Sequence, residues 1–143
     1  MKTVIIYTDG ACRGNPGQGG WGALIKYGDS VKEIYGADVL TTNNKMELTA
    51  AIKALKEIKE PSEIIIYTDS KYVLQGIEEW IHNWKKRGWL GANKKPVKNK
   101  ELWKELDELR DKHTIKWNWV KGHSGDPGNE TADMLANRGI DEL

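Results

Sequence analysis

Ile5-Ile6-Tyr7-Thr8-Asp9 returns later in the chain as Ile65-Ile66-Tyr67-Thr68-Asp69. Each copy is β-branched and aromatic, and each stops at an acid, so each reads as a buried strand ending in aspartate. The motif is too short for a solenoid repeat. Between the copies, Gly20–Tyr27 and Val31–Val39 read as two more strands joined at Gly28-Asp29, after a Gly/Pro loop at Gly14–Gly20. A helix is predicted over Asn44–Lys59, where Leu48, Ala51, Ile52, Leu55 and Ile58 recur at helical spacing ahead of Pro61. A helix between two strand copies is the pattern of a parallel crossover, which would lay the copies side by side.

Beyond the second copy, Ser70–Lys86 reads as one or two helices with Val73, Ile77, Trp80 and Trp84 on one stripe. Gly88–Lys98 is a basic loop, and Asn99–Lys112 an amphipathic helix carrying Leu102, Trp103, Leu106 and Leu109. Ile115–Val120 alternates like a strand. Asp126 and Pro127 open a last helix as N-cap and first residue. The succession predicts an α/β class fold, a mixed sheet with helices packed on it. Its extent, residues 1–143, fits one domain.

Composition narrows the function. A chain with 38% hydrophobic residues and a net charge of +1 is neither disordered nor globally basic. The single Cys12 excludes an internal disulfide and a multi-cysteine zinc site. The apolar start of the chain meets Asp9 too soon for a signal-peptide core. No apolar run nears the roughly 18 residues of a membrane span. An intracellular, cytoplasmic protein is expected. The charge is uneven: Lys85, Lys86, Arg87, Lys94, Lys95, Lys98 and Lys100 fall together with no acid among them, which leaves the remainder acidic.

Open α/β sheets place their chemistry at the carboxyl ends of parallel strands. Asp9 and Asp69 sit at two such ends. Glu47 and Asp133 each flank the apolar stripe of a helix. Carboxylates converging on one crevice repel each other, and a divalent cation removes the conflict. Four acids make an oxygen cage suited to Mg²⁺ or Mn²⁺ rather than zinc. Each acid also has a plain structural reading. Asp9-Gly10 suits a turn, Asp69 a helix cap, Asn44 with Glu47 a capping box, and Asp133 a solvated helix position.

Longer blocks carry a resemblance over essentially the whole chain. They are Tyr7-Thr8-Asp9-Gly10 with Cys12 and Gly14-Asn15-Pro16-Gly17, Thr41-Thr42-Asn43-Asn44-Lys45-Met46-Glu47-Leu48, and Thr68-Asp69-Ser70. Later come Trp80-Ile81-His82-Asn83-Trp84-Lys85-Lys86-Arg87-Gly88-Trp89, and Trp119-Val120-Lys121-Gly122-His123 leading to Asn129-Glu130 and Asp133. In this order the blocks resemble type 1 ribonuclease H.

The resemblance implies the ribonuclease H-like fold, with a five-stranded mixed sheet, and a metal site of Asp9, Glu47, Asp69 and Asp133. It implies a Mg²⁺-dependent endonuclease that hydrolyses the RNA strand of an RNA–DNA hybrid with two Mg²⁺ ions, Mn²⁺ being a substitute, and leaves 5′-phosphate and 3′-hydroxyl ends. Asp9 would bridge the ions, and His123 would match the family's proton-moving histidine. Cys12, Asn15, Asn43 and Asn44 would line the RNA strand. Trp80, Trp84, Lys85, Lys86 and Arg87 would belong to a basic protrusion, about residues 80–98, that takes the DNA strand. Thr42 and Asn99 match a pocket for a DNA phosphate, where Leu40 stands in place of the arginine often found there. A monomer with no obligate protein partner is expected. A non-catalytic nucleic-acid binding module, or another nuclease of the same superfamily, is the alternative.

Overall fold

The computed structural model describes residues 3–143. Strands β1 (Thr3–Arg13), β2 (Gly17–Tyr27), β3 (Ser30–Thr41), β4 (Glu63–Thr68) and β5 (Thr114–Trp119) form one sheet in the order β3-β2-β1-β4-β5. β1, β2 and β3 run as an antiparallel meander, while β4 pairs in parallel with both β1 and β5. The repeated pentapeptides lie in register, Ile5 against Ile65 through Thr8 against Thr68. The equivalent tyrosines stack, with ring centroids 4.9 Å apart. The crossover from β1–β3 to β4 is helix α1 (Asn43–Lys56).

The core lies between the sheet and α1. Ile6, Ile64 and Ile66 are buried with Leu48, Ile52 and Leu55 of α1. Helix α2 (Lys71–Gln75), a π-helical turn at Gly76–Trp80, and helix α3 (Ile81–Lys86) add Val73, Ile77 and Ile81. Helix α4 (Lys100–Arg110) adds Trp103 and Leu106. The wide turn begins at Gly76, where a Cβ would overlap the Trp103 ring. On the other face, α5 (Pro127–Asp141) packs against β1, β2 and β3. It sits close because β2 offers Gly20 and Gly22, at which any Cβ would collide with the Ala136 and Ala132 carbonyls. Asp126 caps α5 by accepting from the Asn129 N–H at 2.9 Å, with Pro127 in the first turn, as the sequence predicts.

Several expectations change. β1 does not stop at Asp9-Gly10 but continues to Arg13, because β2 pairs with it through Arg13–Gln18. The Gly14–Gly20 loop therefore shrinks to a tight turn ahead of Gly17. The α1 cap is Thr42, whose hydroxyl accepts from the Lys45 N–H at 3.2 Å, so Asn44 and Glu47 form no capping box. That helix also ends at Lys56, short of Lys59. Trp80 and Trp84 are half-buried rather than fully in the core, and they form a chain of rings, tilted from Trp80 through Trp84 to Trp89 and edge-on from Trp84 to Trp103.

Candidate active site

Asp9 lies inside β1, paired across to Gly22 of β2, and is 4% exposed. Asp69 follows the last residue of β4 and is half-buried, its carbonyl accepting from the Trp119 indole N–H at 3.3 Å. Glu47, in the second turn of α1, is brought down onto the strand by Gly10. A Cβ there would fall 2.6 Å from the Met46 carbonyl carbon. The Gly10 N–H donates to the Glu47 carboxylate. Asp133 projects from α5 into the same cleft, beside Asp9. Asn137, one turn on, donates its amide to the Asp133 carbonyl at 3.0 Å and to its carboxylate at 3.4 Å.

Carboxylate oxygens of Asp9, Glu47 and Asp69 lie within 4.8 Å of one another. Asp133 joins this group through Asp9. Burial is the main reason that the Asp9 carboxyl is pushed up to about 9; the charge of Asp69 and the bond to Asp133 push in the same direction. Burial likewise raises Glu47 well above the usual carboxylate range, followed by the charges of Asp9 and Asp69, with the Gly10 N–H pulling the other way. Glu47 Oε1 is buried without a hydrogen-bond partner. A buried acceptor with no donor, among like charges, is a position that a bound cation satisfies. The donor set is all oxygen, so the residues present fit a hard divalent cation.

The acids open into a cleft of about 550 Å³ that also takes in Cys12, Asn43, Asn44 and His123. Asn15 lies one step back, its side-chain oxygen accepting from the Asn43 N–H at 2.9 Å, so the β1–β2 turn fixes the start of α1. The Cys12 thiol donates to the Gly14 and Thr41 carbonyls at 3.1 and 3.4 Å. His123 is exposed in a left-handed conformation (φ 57°), on a loop whose Gly122 would, with a Cβ, press within 2.6 Å of the Asp69 carboxylate.

The other expected contacts separate from this cleft. Thr42 is occupied as a cap. Asn99 donates to the Tyr72 hydroxyl at 3.0 Å and lines a second cleft of about 380 Å³ with Lys45 and Lys100. Leu40 is 69% exposed. In the protrusion, Lys86 and Arg87 are exposed, but Lys85 pairs at 3.1 Å with the buried Asp107, which Arg110 also holds at 2.8 Å. Lys71 and Trp119, which were not among the expected site residues, also line the main cleft. Lys71 has only its adjacency to Asp69 as a sequence signal, whereas Trp119 opens the Trp119–His123 block.

The four acids thus share one cleft at the junction of β1, β4, α1 and α5. The family model described as RNase H matches residues 1–141. This chain belongs to the ribonuclease H family. A Ribonuclease H of Alcanivorax borkumensis is 63% identical over 143 residues, which is all of this chain and 95% of that protein. Among solved ribonuclease H structures, LC9-RNase H1, described as a type 1 RNase H with the type 2 active-site motif, matches with a TM-score of 0.90 at 30% identity, over 99% of this chain and 73% of the other. LC11-RNase H1, solved in complex with RNA/DNA hybrid, matches at 0.72 and 25% identity over 97% of both chains. The five-stranded mixed sheet is thus the ribonuclease H fold. Among the described residues, no helix is long and apolar enough to cross a membrane.

Proposed function

We propose that this chain is a single-domain, Mg²⁺-dependent endoribonuclease that hydrolyses the RNA strand of RNA–DNA hybrids to 5′-phosphate and 3′-hydroxyl ends. We also propose that it works as a cytoplasmic monomer. One observation carries the catalytic reading: acids from four separated stretches gather in one cleft, with Glu47 Oε1 unsatisfied. Asp9, Glu47, Asp69 and Asp133 would hold two Mg²⁺ ions, or Mn²⁺ in their place. Bound there, the ions supply an activated water and a Lewis acid for the leaving 3′-oxygen.

The chain's own residues do the rest. Asp9, at the centre of the acid group, holds its position because the strand around it is paired on both sides up to Thr8. Asn137 steadies Asp133. His123, at the rim, gives a proton to the leaving oxygen, a transfer for which an imidazole side chain is suited. Cys12, Asn43 and Asn44 present small polar groups along the cleft, with Asn15 bracing them, and read the 2′-hydroxyls that mark the RNA strand. Trp80, Trp84, Lys86 and Arg87 form the surface for the DNA strand, with Lys85 anchoring it to Asp107. Thr42 and Asn99 contact a DNA phosphate. The complex of LC11-RNase H1 with hybrid supports the substrate class.

The test compares hybrid, duplex RNA and duplex DNA as substrates, with and without Mg²⁺. Cleavage of the RNA strand of hybrid alone, only with the metal, is expected. Binding without cleavage would favour a non-catalytic module. Preference for duplex DNA would favour another nuclease of the superfamily.

A further inference from the structure

Among the residues that line the acid cleft, Lys71 is the one lysine or arginine. It lies two positions from Asp69, in the first turn of α2. A lysine beside so many carboxylates should neutralise one of them. It does not: among the described residues Lys71 forms no ion pair, and its ammonium rests 5.2 Å from the centre of the Trp119 ring. The indole is itself tied down, because its N–H donates to the Asp69 carbonyl. The indole at the end of β5 that holds Asp69 is therefore also the platform on which the Lys71 ammonium rests, apart from the acids.

Two consequences follow from charge alone. The carboxylates stay free for a cation. The ammonium stays free for an anion, since a half-exposed cation–π contact is weak enough to exchange for a charged partner. A phosphodiester seated at the acid group brings its neighbouring phosphates to the rim of the same cleft. Lys71 is the cation waiting there.

We propose that Lys71 leaves Trp119 to contact a backbone phosphate of the RNA strand next to the scissile one. The contact rests on the functional reading above and adds a substrate-binding residue to it. Trp119 acts as a positioning residue for both Lys71 and Asp69.

The test measures hybrid binding by fluorescence anisotropy across a salt series. Ca²⁺ replaces Mg²⁺ under conditions where gels show no cleavage. Wild type is compared with Lys71→Met and Lys71→Arg, each checked for folding by circular dichroism. Losing one phosphate contact should flatten the slope of log Kd against log salt by roughly 0.7–0.9. It should weaken binding roughly 3–10-fold, and Lys71→Arg should restore most of the slope. In Mg²⁺, the loss in Lys71→Met should fall on KM rather than kcat. An unchanged salt slope in Lys71→Met overturns the contact. So does tighter Mn²⁺ binding with no change in slope, which would make Lys71 a counter-ion to the acids. Wild type that cleaves hybrid while Lys71→Met keeps its slope rejects this contact alone. Wild type that neither binds nor cleaves hybrid rejects the functional reading, and the contact with it.

Discussion

The two copies of Ile-Ile-Tyr-Thr-Asp share sequence and lie in register against each other up to threonine, and then they part. β1 runs on through Asp9 because β2 continues to pair with it. β4 ends at Thr68, so Asp69 stands in a loop held by the Trp119 indole. One aspartate is locked in a strand and almost wholly buried; the other is half-buried at a strand end. Identical local sequence thus yields two kinds of carboxylate, and the difference comes from what pairs alongside.

The sharpest way to break this contrast is activity. Asp9→Asn should lower hybrid cleavage in Mg²⁺ by about 10³-fold or more with the fold intact by circular dichroism. Asp69→Asn should cost less, since water can reach the half-buried position and replace a lost ligand. Near-wild-type turnover by Asp9→Asn would remove the strand-locked acid from the mechanism.

The glycines beside each acid sharpen it further. Gly10→Ala drives a methyl into the backbone of α1, which cannot rotate away, and should destabilise by about 1–3 kcal/mol in urea melts. Gly122→Ala meets only the Asp69 carboxylate, which can turn. It should leave stability within about 0.5 kcal/mol yet weaken Mn²⁺ binding roughly 10-fold. Equal losses of stability in the two variants would erase the distinction.

Chelation exposes the electrostatics. Folding raises Asp9 from 3.8 to about 9. A carboxyl raised in this way contributes stability that is whole below about pH 4 and lost as pH climbs towards 9. In EDTA at pH 7, Asp9→Asn should therefore raise Tm by about 5 °C, with a smaller rise for Asp69→Asn. A fall in Tm for Asp9→Asn in scanning calorimetry would show that the buried acid is not strained.

The smallest effect concerns where β4 begins. The Ser62 N–H donates to His113 Nδ1 at 3.1 Å, and the Thr114 N–H to the Ser62 carbonyl at 3.0 Å. Burial lowers the His113 pKa, with help from Lys112. Its stabilising contribution is therefore full above about 6.5 and lost as pH falls below that value. At pH 5 the hydrogen-exchange protection factors should fall at Ser62 and Glu63 more than at Val4 and Ile5 of β1. An equal fall would detach β4 from His113.

Much of this was legible in the sequence. The paired strands, the α1 crossover, the α5 cap and the four acids rest on periodicity, capping chemistry or a family pattern. What escaped had tertiary causes. Ala11, Cys12 and Arg13 lack strand character of their own, and only β2 makes them a strand. Asn44 and Glu47 have the right spacing for a capping box, but Thr42 occupies the cap first, which frees Glu47 to face Asp9. Lys85 reads as one cation in a basic run, and nothing in that run reveals a buried Asp107 beneath it. Lys71 carries no motif, and its placement over Trp119 depends on β5 pairing beside β4, which brings two distant segments together.

The side-by-side seating of the two copies has one more consequence. The approach of Asp9 to Asp69 is framed by Thr8 and Thr68, the last paired residues of two neighbouring strands roughly 4.8 Å apart, rather than by how the side chains beneath them fill space. Backbone amides act as the ruler. Residues such as Leu48 or Leu106 could drift among similar apolar shapes over many generations while the reacting pair kept its separation.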